Sequence, residues 1–218
     1  LPNTPFGEPE YIEKYGLKII NSYTAFNHYD ITEENEFERE DVVVESNTMS
    51  FAEYKKATLF RWVIMFAHYL GTMQYIARFT RKTKDVPYKE FYERLITFIE
   101  RERGSFLNNE LEITRKNIDG VLAVEQPWGR IVPEVKENFA WDFEEATAIK
   151  IAKNQEQFYA EVRKFLVEEI GYEEDQILDE LLAYQLDAII DPSMQYPKSK
   201  SYAYNIHQVI HKSASLKK

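Results

Sequence analysis

The chain has 218 residues, 44% of them apolar and 15% aromatic, which suffices for a packed core and excludes a disordered chain. A formal net charge of −10, with a pI of about 5.1, excludes a whole-surface attraction to nucleic acid or anionic lipid. Cysteine is absent, which excludes disulfides, thiolate nucleophiles and thiolate-held zinc or iron–sulfur clusters within these residues.

With 15 Tyr, 14 Phe and 3 Trp against 7 Gly, the composition favours thick helix packing over turn-rich sheets. The expected fold is mainly α: a helical bundle around a central apolar helix, with a minor β component from the N-terminal segment before Ser50 and from the C-terminal tail. Residues 1–7 read LPNTPFG, with neither a basic n-region nor an apolar h-region, so no secretory signal is expected. A start without Met in a Pro-rich loop fits a segment excised from a larger, cytoplasmic protein. Residues 1–49 are expected to be a β-containing segment continuing an upstream core, and 50–218 a helical accessory domain.

In chain order, a Pro/Gly loop leads to a short helix at 9–15, a strand at 17–22 and a second strand at 41–46. Val42, Val43 and Val44 in a row suggest a strand buried on both faces. Ser50-Phe51-Ala52-Glu53 is a capping box that starts a long helix to about Thr80. From 57 to 77 that helix is apolar nearly all round. It has the length of a membrane span, but Arg61 would sit in the hydrocarbon, so a core helix is expected instead.

Pro87 pre-sets a helix over 87–103, stopped by Gly104. A weaker helix over 106–118 ends at Gly120, and 121–140 reads as a loop with a short strand. Asp142 and the acidic residues after it begin a long helix that runs to Gly171. A further helix spans 174–190, and Asp191-Pro192 breaks it. Alternation of Tyr202, Tyr204, Ile206, Gln208 and Ile210 suggests an edge strand in the tail.

Candidate chemistry is sparse. His207 and His211 would face one way only on a helix, and in an extended tail they form no metal site. Arg61 and His68, seven apart on the apolar helix, share a face and make either a small buried polar site or a satisfied core pair. The acidic runs at 33–36 and 173–175 read as solvated surface. There is no glycine-rich phosphate loop, nucleophile elbow or His-Glu-x-x-His motif. Pro127-Trp128-Gly129-Arg130 places an aromatic and a cation on one loop, suited either to recognition or to packing.

Two stretches carry a family resemblance: LPNTPFGEPEYIEKY over 1–15, and VVVESNTMS over 42–50 leading into an aromatic helix. They resemble the region just after the catalytic core of cobalamin-binding-domain radical SAM proteins, oxidoreductases and methyltransferases, in which a helical region of uncertain role follows. The resemblance runs from Leu1 to about Thr80. It implies a parent chain that uses a [4Fe–4S] cluster, S-adenosylmethionine and cobalamin, with none of these held in this segment and no catalytic residue in it. The implied partner is the upstream radical SAM core of the same chain, with no nucleic acid and no membrane, and the oligomeric state left open. The segment would cap the barrel and shape a substrate pocket, with Asn3, Thr4, Phe6, Arg61, His68 and Trp128 closest to it and no metal ligands. The alternative is a stand-alone helical interaction module anchored on the Trp128 loop.

Overall fold

The structure, a computed structural model, describes residues 7–23, 28–30, 38–189 and 199–218. It is mainly helical with a small β component. The elements in order are α1 (Pro9–Tyr15), β1 (Lys18–Tyr23), β2 (Tyr29–Asp30), β3 (Arg39–Glu45), α2 (Phe51–Ile64), a π-helical turn (Met65–Tyr69), α3 (Gln74–Thr83), α4 (Tyr88–Arg101) and α5 (Phe106–Leu122). Then follow β4 (Arg130–Val132), β5 (Lys136–Trp141), α6 (Phe143–Lys153), α7 (Gln155–Phe165), a second π turn (Leu166–Ile170), α8 (Gln176–Ala188) and α9 (Ile206–Lys212). The chain divides into two compact units, Leu1–Trp62 with Glu110–Thr147, and Val63–Asn109 with Ala148–Lys218.

The first unit holds the strands. β1 and β3 pair antiparallel, with Ile20 opposite Val42, while β5 lies between β2 and β4 in a second antiparallel sheet. β3 is not buried on both faces: Val44 is fully buried but Val43 is exposed, because β1 is its one ladder partner among the described residues and one face meets solvent. Gly16 ends α1 at φ 58°, and a Cβ there would come within 2.2 Å of the Asn47 side-chain oxygen. That Asn47 amide donates to the Lys14 carbonyl at 3.1 Å and so fastens the end of β3 to α1.

The capping box forms as expected. Glu53 accepts from the Ser50 backbone N–H at 2.7 Å, and Ser50 Oγ accepts from the Glu53 N–H at 3.3 Å. The expected single apolar helix over 57–77 does not form. α2 has its first fully buried side chain only at Trp62, passes into the π turn, and breaks at Gly71, where φ is 85°. Among the described residues no helix is long and apolar enough to cross a membrane.

The second unit packs around aromatic side chains. Phe91 and Phe98 of α4 meet Phe165 of α7 edge-on at 5.2 and 5.6 Å between ring centroids. The break after the π turn leaves backbone groups that distant side chains satisfy. Buried Gln185 accepts from the Tyr75 N–H at 2.9 Å and donates to the Gly71 carbonyl at 2.7 Å, while the Tyr159 hydroxyl donates to the Thr72 carbonyl at 2.9 Å. Glu161 does the same for α5, accepting from the N–H groups of Phe106 and Leu107.

Three further boundaries differ from expectation. α5 runs through Gly120 to Leu122, and the Gln126 side chain lies against the bare Cα of Gly120, where a side chain would crowd it. The long helix expected to Gly171 is two helices and a π turn, interrupted at Asn154, although Gly171 does end it at φ 77°. The tail is helix α9 rather than an edge strand. Ile206, Val209 and Ile210 are its buried residues, an i, i+3, i+4 set that packs only as a helix, and the alternation of 202–206 precedes it. The Asp191-Pro192 helix break lies outside the described residues.

Candidate functional site: a cavity at Arg61 and Trp128

Once the capping box fixes the start of α2, helical periodicity puts Tyr54, Ala57, Thr58 and Arg61 along one stripe. These four, with Glu40 and Val42 of β3 and Trp128 from the loop before β4, line a cavity of about 320 Å³ in the first unit. The volume is at the lower end of the range for small-molecule sites. Two expected site residues, Arg61 and Trp128, are thus brought together from distant parts of the sequence. Trp128 is half-buried, its ring 5.5 Å from that of Phe143 at the start of α6.

Arg61 was expected inside an apolar helix, yet its side chain is 59% exposed. The reason is its partner: the guanidinium donates to Glu144 Oε1 at 3.2 Å, and Glu144 is only 6% exposed. Burial pushes the Glu144 carboxyl up from its ordinary range, and Arg61 draws it back part of the way. Asp142 is raised in the same way by burial and then by Glu145, with His28 and Arg61 opposing. The Tyr54 phenol is raised by burial and by Glu40, with Arg61 opposing. One cation at the cavity wall therefore sits amid three acidic side chains and an aromatic pair, an arrangement suited to a ligand with both charge and a flat apolar surface.

Behind the wall, Arg130 forms a two-pronged ion pair with Glu110, and Glu110 also accepts from the Thr147 hydroxyl at 3.2 Å. The Trp62 indole N–H donates to that hydroxyl at 3.1 Å. β4, α5, α6 and α2 are tied together by this buried network.

His68 does not share a buried face with Arg61. It belongs to the second unit, in the π turn, where its Nδ1 is 2.8 Å from the Tyr92 hydroxyl and its ring meets Tyr88 edge-on. Burial lowers its pKa, so it is neutral near pH 7, and it reads as a satisfied core histidine. Asn3, Thr4 and Phe6 lie outside the described residues.

The sequence reading missed Tyr54, Glu40, Asp142 and Glu144. For Tyr54 a signal existed, since it stands seven positions before Arg61 on the same helix. Glu144 was read as one of a first-turn acidic cluster, and nothing local marked it as the partner of Arg61. Among the described residues no group of three or more His, Cys, Asp or Glu side chains is placed to hold a metal ion.

No family model matches the chain. It is 26% identical over 217 residues to the 2-(S-pantetheinyl)-carbapenam-3-carboxylate methyltransferase of Streptantibioticus cattleyicolor, covering 94% of this chain and 32% of that protein. It is 25% identical over 227 residues to the cobalamin-dependent radical SAM methyltransferase TokK of Streptomyces tokunonensis, again covering 94% of this chain and 32% of that protein. The chain spans about a third of the length of the curated relatives it matches. Along nearly its whole length, then, this chain resembles part of the cobalamin-dependent radical SAM methyltransferases, and the resemblance extends well past Thr80.

Proposed function

We propose that this chain is the C-terminal accessory part of a cobalamin-dependent radical SAM methyltransferase, capping the catalytic barrel and forming one wall of the substrate pocket. The observation that carries the reading is the similarity, over 94% of the chain, to two methyltransferases, one of them named as cobalamin-dependent and radical SAM. The parent would supply the [4Fe–4S] cluster, S-adenosylmethionine and cobalamin, and with them radical methyl transfer. Without a cysteine, the residues present do not fit a thiolate-held cluster, which would belong to the rest of the parent chain.

What this chain contributes is recognition. Glu144 pins one edge of the Arg61 guanidinium and leaves the side chain accessible at the cavity wall, where it would hold a carboxylate of the substrate. Trp128 and Tyr54 would cover the apolar part and keep water from it. The name of one relative specifies a carboxylate-bearing substrate, which fits an arginine in this role. Trp128 packed on Phe143 supports a pocket wall over the exposed anchor that a stand-alone interaction module would need.

The test is kinetics on the intact parent enzyme carrying Arg61→Ala or Trp128→Ala. Loss of a charged hydrogen bond of about 1.5–3 kcal/mol should raise KM about tenfold to a hundredfold in the arginine variant. Unchanged kcat and KM in both variants would remove the cavity from the substrate pocket.

A further inference from the structure

The helix found in place of the expected edge strand returns His207 and His211 to one face. They stand four apart on α9, with ring centroids 4.5 Å apart and a tilt of 33° between the planes. Both rings converge on one atom of α8: the Tyr184 hydroxyl is 3.0 Å from His207 Nδ1 and 3.3 Å from His211 Nε2.

We propose that His207, His211 and Tyr184 bind one divalent late transition metal ion, of the zinc or copper kind, which staples α9 to α8. Bonds of about 2.0–2.1 Å to a tetrahedral metal place neighbouring ligand atoms about 3.3–3.4 Å apart. The two nitrogen-to-oxygen separations, 3.0 and 3.3 Å, already lie within a few tenths of an ångström of that spacing. Two imidazoles and a phenol select zinc or copper over magnesium or calcium, which demand oxygen ligands. Both histidines are exposed, so the ion can enter and solvent can take the fourth position.

The supporting elements are fixed. α9 is seated by buried Ile206, Val209 and Ile210, and Asn205 ties its start to the C-terminal tail through the Ser215 carbonyl and the Lys217 N–H. The Tyr184 ring is held edge-on by Tyr75 at 5.6 Å and lies against Tyr202 at 5.5 Å. The phenol proton leaves to solvent when its oxygen binds the ion.

The test is calorimetric titration of the 218-residue chain with zinc chloride at about pH 7.5, with the histidine ring signals followed by NMR. Saturable one-to-one binding that moves His207 and His211 and spares His28 and His68 is expected. His211→Gln should weaken it by more than about tenfold, and Tyr184→Phe should weaken it and abolish proton release. Absence of saturable binding, binding unaltered by H211Q, or signals moving only at His28 would overturn the site, and unaltered affinity and proton release in Y184F would overturn the three-ligand assignment.

Discussion

Arg130 and Glu110 form a buried ion pair, 12% and 6% exposed, in which the guanidinium donates two N–H groups to one carboxylate. Such a pair specifies an arrangement more than it adds stability, since desolvating both charges offsets most of their attraction. The cost falls on variants that remove one partner. Arg130→Met leaves the Glu110 carboxylate buried with only the Thr147 hydroxyl, and should destabilise the chain by about 3–5 kcal/mol in urea denaturation. Replacing both residues with apolar ones of similar volume should recover most of that loss. A double variant as unstable as the single would show that the pair is itself a large net contributor.

Gln185 joins three backbone groups in the gap between the first π turn and α3, and each is left without that partner when it is removed. Gln185→Leu should cost about 1–3 kcal/mol for each buried group left unsatisfied, at the lower end where a group finds water. The measurement is amide hydrogen exchange, which should accelerate at Tyr75 and Ile76 before it changes in α4. Uniform acceleration through the second unit would mean that the gap does not open locally.

These two residues also show what could be read in advance. The Ser50–Glu53 box was legible because both partners lie within one turn, and so were α1, α4 and the stop at Gly171. Gln185 and Glu161 cap helices far away along the chain, and no local pattern records that. The tail was misread because parity over 202–206 resembled a strand, while the buried set that fixes α9 begins only at Ile206. Arg61 and Trp128 were picked out singly. That they meet in one cavity depends on β3 and the loop before β4, a tertiary relation outside the reach of spacing.

His68 gives a pH dependence of defined sign. Burial lowers its folded-state pKa below the ordinary value of about 6.5, so at mildly acidic pH the unfolded chain binds more protons. Stability from this group is full above about pH 6.5 and is lost as pH falls through the folded value. His211, lowered in the same direction, adds to the slope. His68→Gln should be less stable than the parent chain above pH 7, through the lost Tyr92 contact, and the gap should narrow as the pH falls toward about 5. A gap that widens on acidification would show that His68 is charged in the fold.

Gly120 sits inside α5, where Gly→Ala ordinarily stabilises a helix by up to about 1 kcal/mol. Here a Cβ would lie 3.0 to 3.2 Å from three atoms of the Gln126 side chain, whose amide donates to the Asn117 carbonyl at 3.2 Å. Gln126 has to give by a few tenths of an ångström, which strains that hydrogen bond, so Gly120→Ala should forfeit the usual helix gain and destabilise the chain at the lower end of the about 1–3 kcal/mol usual for overpacking. In a Gln126→Ala background the obstruction is gone, and the same substitution should become neutral or stabilising. Comparison of the four proteins in a denaturation cycle measures the coupling directly. If Gly120→Ala stabilises both backgrounds equally, the Gln126 side chain moves aside freely, and the glycine is not what lets it lie against α5.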